Sequence, residues 1–308
     1  MDDDSSIVVA GEALVDLTVG GGGEVAAHLG GGPYNVARTI GRLGQPVSYL
    51  GRLSSDRFGT RLRRELEADG VGFDAVVETS DPTTLALAEL DERGAATYRF
   101  YTQGTSAGGL TTEAALQALP GQVGALCVGT LGLVLEPMAT ALEAVVERLA
   151  GSALIAVDPN CRPTTIEDPA SYRERLGRII ASSDVVKVSD QDLAWLNPGV
   201  EATEAARAML GQGAALVLLT RGGEGVTALV PGAESRVPAP EVTVVDTIGA
   251  GDAFIGGFLA WWRHEGLGAG DLDRSEAVSA ATRFACLVAA RTCERSGADP
   301  PRRADVDF

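Results

Sequence analysis

The sequence is short of positive charge and has almost no lysine. Its 308 residues include 42 acidic and 25 basic side chains, and Lys187 is the only lysine. The net charge of −17 argues against nucleic acid or an anionic membrane surface as a partner. An anionic nucleotide would therefore have to be attracted locally, by backbone N–H groups, metal ions and a few cationic side chains.

Signals for structural zinc, membrane spans and secretion are also missing. The four cysteines show no C-x-x-C spacing and the two histidines, His28 and His264, lie far apart, which argues against a zinc site. Cys127 falls in an apolar stretch and is expected to be a small buried hydrophobe. No apolar run reaches the roughly 18 residues of a membrane span, and the first residues are acidic, unlike a secretory signal. We therefore expect a cytoplasmic protein without a membrane partner.

The two best-known glycine loops for nucleotides do not occur in the sequence. Gly20 to Gly23 form a run of four glycines, but no glycine-rich loop continues into Gly-Lys-Ser/Thr. No G-x-G-x-x-G pattern follows the first predicted strand, Ile7–Ala10, which disfavours a dinucleotide-dependent oxidoreductase.

What the chain does contain is a long alternation of apolar strands and amphipathic helices. Strands are predicted at Ile7–Ala10 and Val47–Leu50, in the stretches ending near Gly129, Asp158, Val188 and Thr220, and at Glu241–Val245. Helices are predicted from Asn35 onwards and at Phe58–Ala68, Pro137–Leu149, Ala170–Ala181, Asp190–Leu196, Thr203–Leu210, Ala250–His264 and Ser275–Ala290. This order predicts a single α/β domain over residues 1–308 with a mostly parallel central sheet.

Two predicted hairpins interrupt the alternation. Leu14–Val19 is expected to pair with Glu24–His28, and Thr84–Leu90 with Thr97–Tyr101 across the turn Asp91–Gly94. They occupy about residues 12–30 and 83–103. We expect them to form a small β-sheet lid set apart from the main body.

Polar or glycine-rich sequence follows directly on several predicted strands. Gly11-Glu12, Asp158–Arg162, Lys187–Ser189, Thr220–Gly223 and Asp246 all take this position. Ligands of open α/β sheets bind in the crevice at the carboxyl ends of the strands, so these stretches are expected to line one crevice.

The stretch Asp246–Phe258 has the chemistry needed for phosphoryl transfer. Gly249-Ala250-Gly251 lies where a loop becomes the N-terminus of an apolar helix, whose first amides lack internal partners and carry partial positive charge. The glycines allow an anion to approach the backbone, and Asp252 places a carboxylate beside it. Amides for the moving charge and a base for the attacking alcohol are what phosphoryl transfer to a hydroxyl requires. The alternative is a glycine turn in which Asp252 only stabilises the helix dipole.

This stretch resembles the second signature of the ribokinase-like (PfkB) carbohydrate kinases. Gly30–Ala37 (GGGPYNVA) with Gly41–Gly44 (GRLG) resembles the amino-terminal signature of that family, and the resemblance runs from about Ile7 to Pro301. Gly11–Asp16, Asp158–Arg162 and Lys187–Asp192 are most similar to the fructokinase branch. The resemblance implies a three-layer α/β sandwich with a β-sheet lid. It also implies an ATP-dependent kinase that phosphorylates a primary hydroxyl of a small sugar, with fructose as the first candidate.

The resemblance also implies which residues form the site. Asp252 would be the catalytic base, and Gly249, Ala250 and Gly251 would bind the transferring phosphoryl group. The sugar would contact Asp16, Gly31, Gly32, Asn35, Arg99, Tyr101, Asn160 and Arg162. The nucleotide would contact Lys187, Ser189, Thr220, Gly222, Gly223, Gly225 and Gly251. For Asn35 the alternative is a helix N-cap, and for Arg99 it is a solvent-facing position on the lid.

Two cations are implied beside ATP. Asp192 would hold Mg²⁺ through water, although this chain has Ser189-x-x-Asp192 where many family members have Asn-x-x-Glu. A monovalent cation such as K⁺ would lie near Asp246, Ile248, Cys293 and Gly297.

Several alternatives remain open at this point. A 2-keto-3-deoxygluconate kinase would use Arg162 as a partner for the substrate carboxylate. A nucleoside kinase and a non-catalytic sugar-sensing protein would share the fold. An exposed edge of the lid sheet would favour a homodimer through the lid.

Overall fold

The computed structural model describes residues 6–19, 23–90 and 96–306 of the chain. The predicted turn Asp91–Gly94 and the glycines Gly20 to Gly22 lie outside these described residues. None of the helices in the described part of the chain combines the length and the apolar character needed to cross a lipid bilayer.

Strands and helices alternate through most of the chain. The strands are β1 (Ser6–Ala10), β2 (Leu14–Val19), β3 (Val25–Gly30), β4 (Val47–Ser54), β5 (Val76–Thr79), β6 (Leu85–Leu90), β7 (Ala96–Tyr101), β8 (Val123–Gly129), β9 (Leu154–Asp158), β10 (Val185–Ser189), β11 (Leu216–Thr220), β12 (Val226–Val230) and β13 (Ala233–Val237). The helices are α1 (Gly32–Arg42), α2 (Arg57–Ala68), α3 (Thr112–Ala118), α4 (Met138–Leu149), α5 (Pro169–Ala181), α6 (Asp190–Leu196), α7 (Ala202–Gln212), α8 (Ala250–His264) and α9 (Ser275–Cys293).

The main sheet has nine strands in the order β13-β12-β11-β10-β9-β8-β1-β4-β5. Its strands are parallel from β11 to β5, while β12 and β13 form an antiparallel hairpin at one edge. The central strands β9 and β11 are apolar up to their last residues, Asp158 and Thr220, as expected for strands that are covered on both faces. The predicted α/β architecture with a mostly parallel sheet is therefore confirmed.

Helices cover both faces of this sheet. Alternate residues of one strand enter two separate cores, so that Val8 lies in one core and Val9 in the other. Side chains of α1, α2, α8 and α9 complete one core, and those of α3 to α7 complete the other. Cys127 is 3% exposed in this interior, as predicted for a small hydrophobe.

The two predicted hairpins form a separate four-stranded sheet in the order β3-β2-β6-β7. We call this sheet the lid. On one lid face, Leu14 and Ala86 pack with Leu131 of the main body. The predicted small second sheet is thus confirmed.

The strand predicted at Glu241–Val245 is wrong. This stretch is irregular, and Val244 and Val245 are 59% and 62% exposed. The amides of Val245 and Asp246 both donate to the Cys293 carbonyl, at 2.8 and 3.2 Å, so the segment is anchored to the end of α9 and not to a strand. Asp246 therefore reaches the site from a loop. Sequence reasoning also missed β5 and α3.

Glycine lets α8 pack closely against α1. A Cβ placed on Gly256 would lie 2.8 Å from Thr39 Cβ and 3.2 Å from the Val36 carbonyl oxygen. Gly177 of α5 has no atom within 4 Å of the same position. This contact fixes the distance between two helices whose N-termini meet at the carboxyl edge of the sheet.

We expect Gly256→Ala to lower the free energy of unfolding by about 1–3 kcal/mol, because the added methyl group overpacks the helix interface. Gly177→Ala is the matched control and should raise it by about 0.5–1 kcal/mol, the usual gain for alanine in an open helical position. Urea denaturation measures both changes. Equal effects of the two substitutions would contradict the close packing of α1 and α8.

Candidate active site

A glycine turn begins α8. Gly249 is the N-cap in the left-handed conformation, with φ 76°, and a Cβ on it would lie 2.6 Å from Ala298 Cβ. A Cβ on Gly251 would lie 2.9 Å from Lys187 Nζ. Gly249 is therefore required by its conformation and by Ala298, while Gly251 lets the only ammonium side chain approach the helix N-terminus. The Ala250 amide donates to the Thr247 carbonyl at 3.2 Å, so the amides that follow it are better placed for an anion.

Asp252 lies in the first turn of α8 and is only 8% exposed. Burial raises the pKa of its carboxyl group to about 7, while the hydrogen bond from Asn35 opposes this rise. Asn35 Nδ2 donates to Asp252 Oδ2 at 2.9 Å. A carboxyl group that titrates near neutral pH is well suited to act as a general base. Asn35 lies inside α1, whose N-cap is Gly31, so the alternative role of Asn35 as an N-cap is wrong.

A buried ion pair lies beside this carboxylate. Lys187 Nζ donates to Asp158 Oδ2 at 2.8 Å, and the two residues are 4% and 5% exposed. Burial alone would lower the pKa of Lys187, but the carboxylates of Asp158 and Asp192 outweigh it and the lysine keeps its proton. The pair thus places a fixed positive charge next to Gly251.

Two buried polar atoms in the described part of the chain have no hydrogen-bond partner: Asn35 Oδ1 and Asp158 Oδ1. Buried oxygens are normally paired, and an unpaired one costs about 1–3 kcal/mol. Both belong to residues that contact Asp252 or Lys187 directly. These two unpaired oxygen acceptors are suited to bind a ligand with hydroxyl groups.

Asp16 of the lid is within electrostatic reach of Arg162 in the main body. Burial raises the pKa of Asp16 to about 6, against the opposing positive charges of His28 and Arg162. The charge of Arg162 also acts on Asp158 and Asp252. Its Nη1 donates to Asn160 Oδ1 at 2.7 Å and to the Asn160 carbonyl at 2.9 Å. That the polar strand ends, including Asp158–Arg162, line one ligand crevice stays a prediction.

The register of the lid strands does not bring Arg99 and Tyr101 to Asp16. Asp16 pairs with Ala86, and Ala86 pairs with Phe100, so these three share one face of the lid. Arg99 and Tyr101 are the neighbours of Phe100 and lie on the opposite face, where both are exposed. The expectation that they project toward the sugar together with Asp16 is corrected by this alternation. Phe100, which packs with Leu14 and Ala86, was missed from the sequence.

Glu12 is a second residue that was not assigned a role from the sequence. It is 0% exposed and accepts hydrogen bonds from the amides of Gly32, at 3.0 Å, and Gly132, at 3.1 Å. Burial raises its pKa to about 8. The side chain ties the start of α1 to the short 3-10 helix after β8. Its position after the first strand was the only signal in the sequence.

Backbone strain marks the ends of β8 and β9. Among the described non-glycine residues, only Thr130 and Asn160 have a positive φ, 53° and 37°. Thr130 Oγ1 would lie 2.3 Å from a Cβ on Gly32. Gly31, with φ 111°, could not carry a Cβ either, because it would lie 2.6 Å from the Glu12 carbonyl oxygen. Gly31 and Gly32 are thus needed where α1 enters the site.

The residues predicted for the nucleotide lie on neighbouring strand ends. Ser189 ends β10 and caps α6, and Thr220 ends β11. Gly222 and Gly223 are exposed with open space at their Cβ positions, so a ligand could lie against them. Gly225 has a different reason to be glycine, because a Cβ there would lie 2.1 Å from the Val237 carbonyl oxygen.

Asp192 is held by protein groups on both carboxylate oxygens. Oδ1 accepts from the Cys161 amide at 2.7 Å, and Oδ2 accepts from Ser189 Oγ at 2.6 Å and from the Ser189 amide at 3.0 Å. It is 7% exposed. Its role in holding Mg²⁺ through water stays a prediction. Within residues 6–19, 23–90 and 96–306, no three His, Cys, Asp or Glu side chains form a cluster that could hold a metal ion.

The four residues predicted for a monovalent cation do come together. Asp246 Oδ1 accepts from the Ile248 amide at 3.0 Å and Oδ2 from the Gly297 amide at 2.8 Å. The Cys293 carbonyl accepts from the amide of Asp246 itself. We call Asp246, Ile248, Cys293 and Gly297 the cation loop.

A cavity of the main body lies away from these residues. It has a volume of about 660 Å³ and lies beside the base of the lid, between Thr102, Leu135, Thr165 and Arg175. None of the residues predicted for catalysis or binding lines it. A much smaller cavity of about 10 Å³ lies at the site itself, against Gly32, Thr130, Asp158 and Asp252.

The chain belongs to the pfkB family carbohydrate kinases, whose sequence pattern it matches over residues 4–304. A fructokinase of Rhizobium leguminosarum bv. trifolii is 39% identical over 259 residues, which are 82% of this chain and 78% of that protein. The crystal structure of a Xylella fastidiosa fructokinase with bound ATP superposes with a TM-score of 0.87 at 30% identity, covering 95% of this chain and 93% of the other. A Vibrio cholerae fructokinase double mutant bound to fructose, ADP and potassium gives a TM-score of 0.84 at 25% identity, with 97% and 95% covered. The fold expected from the sequence is that of these kinases.

We expect two substitutions to move the pKa of Asp252 in opposite directions. Asn35→Leu removes a donor to the carboxylate and should raise this pKa, whereas Asp158→Asn removes a neighbouring negative charge and should lower it. Carbon-13 NMR titration of labelled aspartates measures both shifts. The pKa of Asp16 depends on burial, His28 and Arg162, so its midpoint is the internal control. Shifts of equal sign would contradict the assigned contacts.

Proposed function

We propose that this protein is an ATP-dependent fructokinase that phosphorylates a primary hydroxyl of fructose. The observation that carries the proposal is the hydrogen bond between Asn35 and Asp252 next to the Gly249–Gly251 turn. This bond connects α1, the helix that is predicted to contact the sugar, with α8, which carries the base and the anion-binding turn. The similarity to fructokinases over nearly the whole chain supports the choice of sugar.

In this proposal Asp252 takes the proton of the attacking sugar hydroxyl as the new O–P bond forms. Its pKa of about 7 leaves a large fraction of carboxylate at neutral pH while keeping it basic enough to accept a proton. Asn35 Nδ2 holds the carboxylate in place, and its free Oδ1 can accept a bond from a sugar hydroxyl. Asp16 would accept from further hydroxyls, with Arg162 nearby to favour its charged form.

Negative charge on the transferring phosphoryl group would be met by the amides at the start of α8 and by Lys187. These donors are fixed before the reaction, which is the property that makes such groups effective. Lys187 Nζ is held by Asp158 and lies against Gly251. Lys187 and the helix amides thus place positive charge beside the glycine turn.

The donor set fits ATP with Mg²⁺ bound mainly through phosphates and water. Magnesium commonly uses one or two carboxylates together with phosphate oxygens, so a large cluster of acidic side chains is not required. Asp192 would act through a water molecule, and its oxygens already accept from Ser189 and the Cys161 amide. When bound, Mg²⁺ neutralises the phosphate charge. We place Thr220, Gly222 and Gly223 against the nucleotide, while Gly225 shapes the turn.

A monovalent cation such as K⁺ is proposed at the cation loop. Asp246 supplies a carboxylate that is only partly buried, and its own amide donates to the Cys293 carbonyl, which brings one backbone oxygen into the same segment. Potassium is bound in the Vibrio cholerae fructokinase double mutant of the same fold. We also propose a cytoplasmic location, where ATP is available.

The test of this function is ADP release by the purified protein with Mg²⁺ and K⁺ across fructose, 2-keto-3-deoxygluconate, ribose, glucose and adenosine. Fructose is expected to give the highest kcat/KM, because no carboxylate partner is needed and Arg162 already donates to Asn160. Turnover only with the keto-deoxy acid would identify Arg162 as a carboxylate partner and overturn the choice of fructose.

The matched control for this assay is Asp252→Asn. It should keep sugar and nucleotide binding but lose at least about two orders of magnitude in kcat, the usual scale for removal of a general base. Near-normal turnover of this variant would refute the role of Asp252.

We further propose a homodimer through the outer face of the lid, the face that carries Arg99 and Tyr101. Away from the main body this face is apolar, with Leu17 and Val19 partly exposed and Val25 and Tyr101 63% and 50% exposed. Exposed apolar patches of this kind favour association. A second copy of the chain would cover them.

We expect Val25→Glu to convert the dimer to a monomer in sedimentation velocity experiments, because the charge would be buried in the interface. Val200→Glu is the control. Val200 is 43% exposed and lies in the main body, in the connection between α6 and α7. A wild-type protein that sediments as a monomer would refute the proposed dimer.

A further inference from the structure

The buried carboxylate of Asp69 accepts hydrogen bonds from three arginines close to the cation loop. Asp69 has a 2% exposed side chain and accepts from Arg38 Nε at 2.8 Å, Arg42 Nε at 2.8 Å and Arg302 Nη2 at 3.3 Å. Arg38 and Arg42 are 8% and 10% exposed. Removing water from so many charges is costly, and such a cluster remains stable only when its members are mutually paired.

Two of these arginines, Arg38 and Arg42, also donate hydrogen bonds to the chain segment that follows α9. Arg42 Nη1 donates to Asp299 Oδ1 at 2.5 Å and to the Pro300 carbonyl at 2.6 Å. Arg38 Nη1 donates to the Ala298 carbonyl at 3.3 Å. Residues 298–300 are thus held from the side of α1 by three bonds to two side chains.

This segment is also a wall of the candidate active site. Ala298 packs against Gly249, where an added Cβ would lie only 2.6 Å from Ala298 Cβ. The neighbouring Gly297 amide donates to Asp246 Oδ2 at 2.8 Å. The segment therefore contacts the anion-binding turn and the cation loop on one side and the arginine cluster on the other.

Helix α1 connects this support to the sugar side. Asn35, Arg38 and Arg42 lie three and seven residues apart on one helix, a spacing that keeps them on one face. Asn35 holds Asp252, while the two arginines hold residues 298–300. A single rigid helix thus sets the position of the base relative to the turn.

We propose that Asp69, Arg38 and Arg42 are positioning residues that fix residues 297–300 against Gly249 and Asp246. They touch no substrate in the proposed reaction. Their contribution is to keep the anion-binding turn and the cation loop in shape before ligands arrive. The kinetic part of this inference rests on the proposed kinase function, and the structural part does not.

The decisive variant is Arg42→Met, which keeps the aliphatic stem and removes the bonds to Asp69, Asp299 and Pro300. Hydrogen exchange followed by mass spectrometry should show exchange in residues 294–302 faster by about tenfold or more, because the segment opens locally. The exchange of α4 and α5 should not change. This readout needs neither substrate nor activity.

Kinetic constants provide the second readout. In Arg42→Met the KM for ATP and the K⁺ concentration for half-activation should rise by about tenfold, while the KM for fructose stays within about twofold. The KM for fructose is expected to change little because Asn35 and Asp16, which are proposed to bind the sugar, keep their contacts. If the wild-type protein phosphorylates none of the sugars, the hydrogen-exchange result still decides the positioning role.

Arg175→Met is the matched control. Arg175 is 19% exposed and joins α5 to α4 through Glu136 and Glu143, on the other face of the main sheet. It should lower the melting temperature to a similar extent without changing exchange in residues 294–302. If Arg42→Met does not fold, Asp299→Ala removes one partner of Arg42 at a 45% exposed position and should give a smaller acceleration in the same segment. Unchanged exchange in that segment, or equal acceleration in Arg175→Met, would overturn the proposal.

Discussion

The hydrogen bond from Asn35 to Asp252 is the contact on which the rest of the site depends. It joins residues 217 positions apart in the chain, at the N-terminal ends of two helices that glycine allows to pack closely. Burial drives the pKa of Asp252 upward and this donor limits the rise. The result is a carboxyl group near neutrality, which neither full exposure nor unopposed burial would give. The contact therefore fixes the position of the carboxylate and moderates its basicity.

The charge distribution follows from the same constraint. A protein with a net charge of −17 repels anions over most of its surface. At the carboxyl edge of the sheet, however, the described structure concentrates helix amides, Lys187 and Arg162 within reach of three buried carboxylates. Each carboxylate accepts a hydrogen bond from a neighbouring group, and Lys187 is held beside Gly251 by its bond to Asp158. An acidic chain can in this way place fixed donors for an anion at one edge of its sheet.

Much of the fold followed from periodicity, and the failures have physical causes. The strands that end at Gly129, Asp158 and Thr220 are continuous apolar runs, which few other environments accommodate. Glu241–Val245 has the same β-branched character, but it meets no strand partner and leaves Val244 and Val245 in solvent. Propensity alone does not distinguish the two cases.

Site residues could be predicted from the sequence where they belong to a motif. They could not be predicted where strand register or burial determines their position. The Gly249–Asp252 turn and the strand ends were visible in the sequence. The face on which Arg99 and Tyr101 lie depends on pairing with β6, and a shift of one residue reverses it. Glu12 and Asp69 act through burial and through bonds to backbone amides or arginines far along the chain. No local spacing reveals such partners.

The single lysine has a consequence for covalent chemistry. Reagents and metabolites that acylate side-chain amines find one target in this chain, and Lys187 is 4% exposed and paired with Asp158 in the closed arrangement. The many surface arginines do not react in this way. Acylation of the folded protein is therefore limited by how often the crevice opens, and each modified molecule has lost the charge beside Gly251. Labelling of Lys187, resolved from the N-terminal amine by peptide mapping, thus reports the opening of the crevice without interference from other side chains.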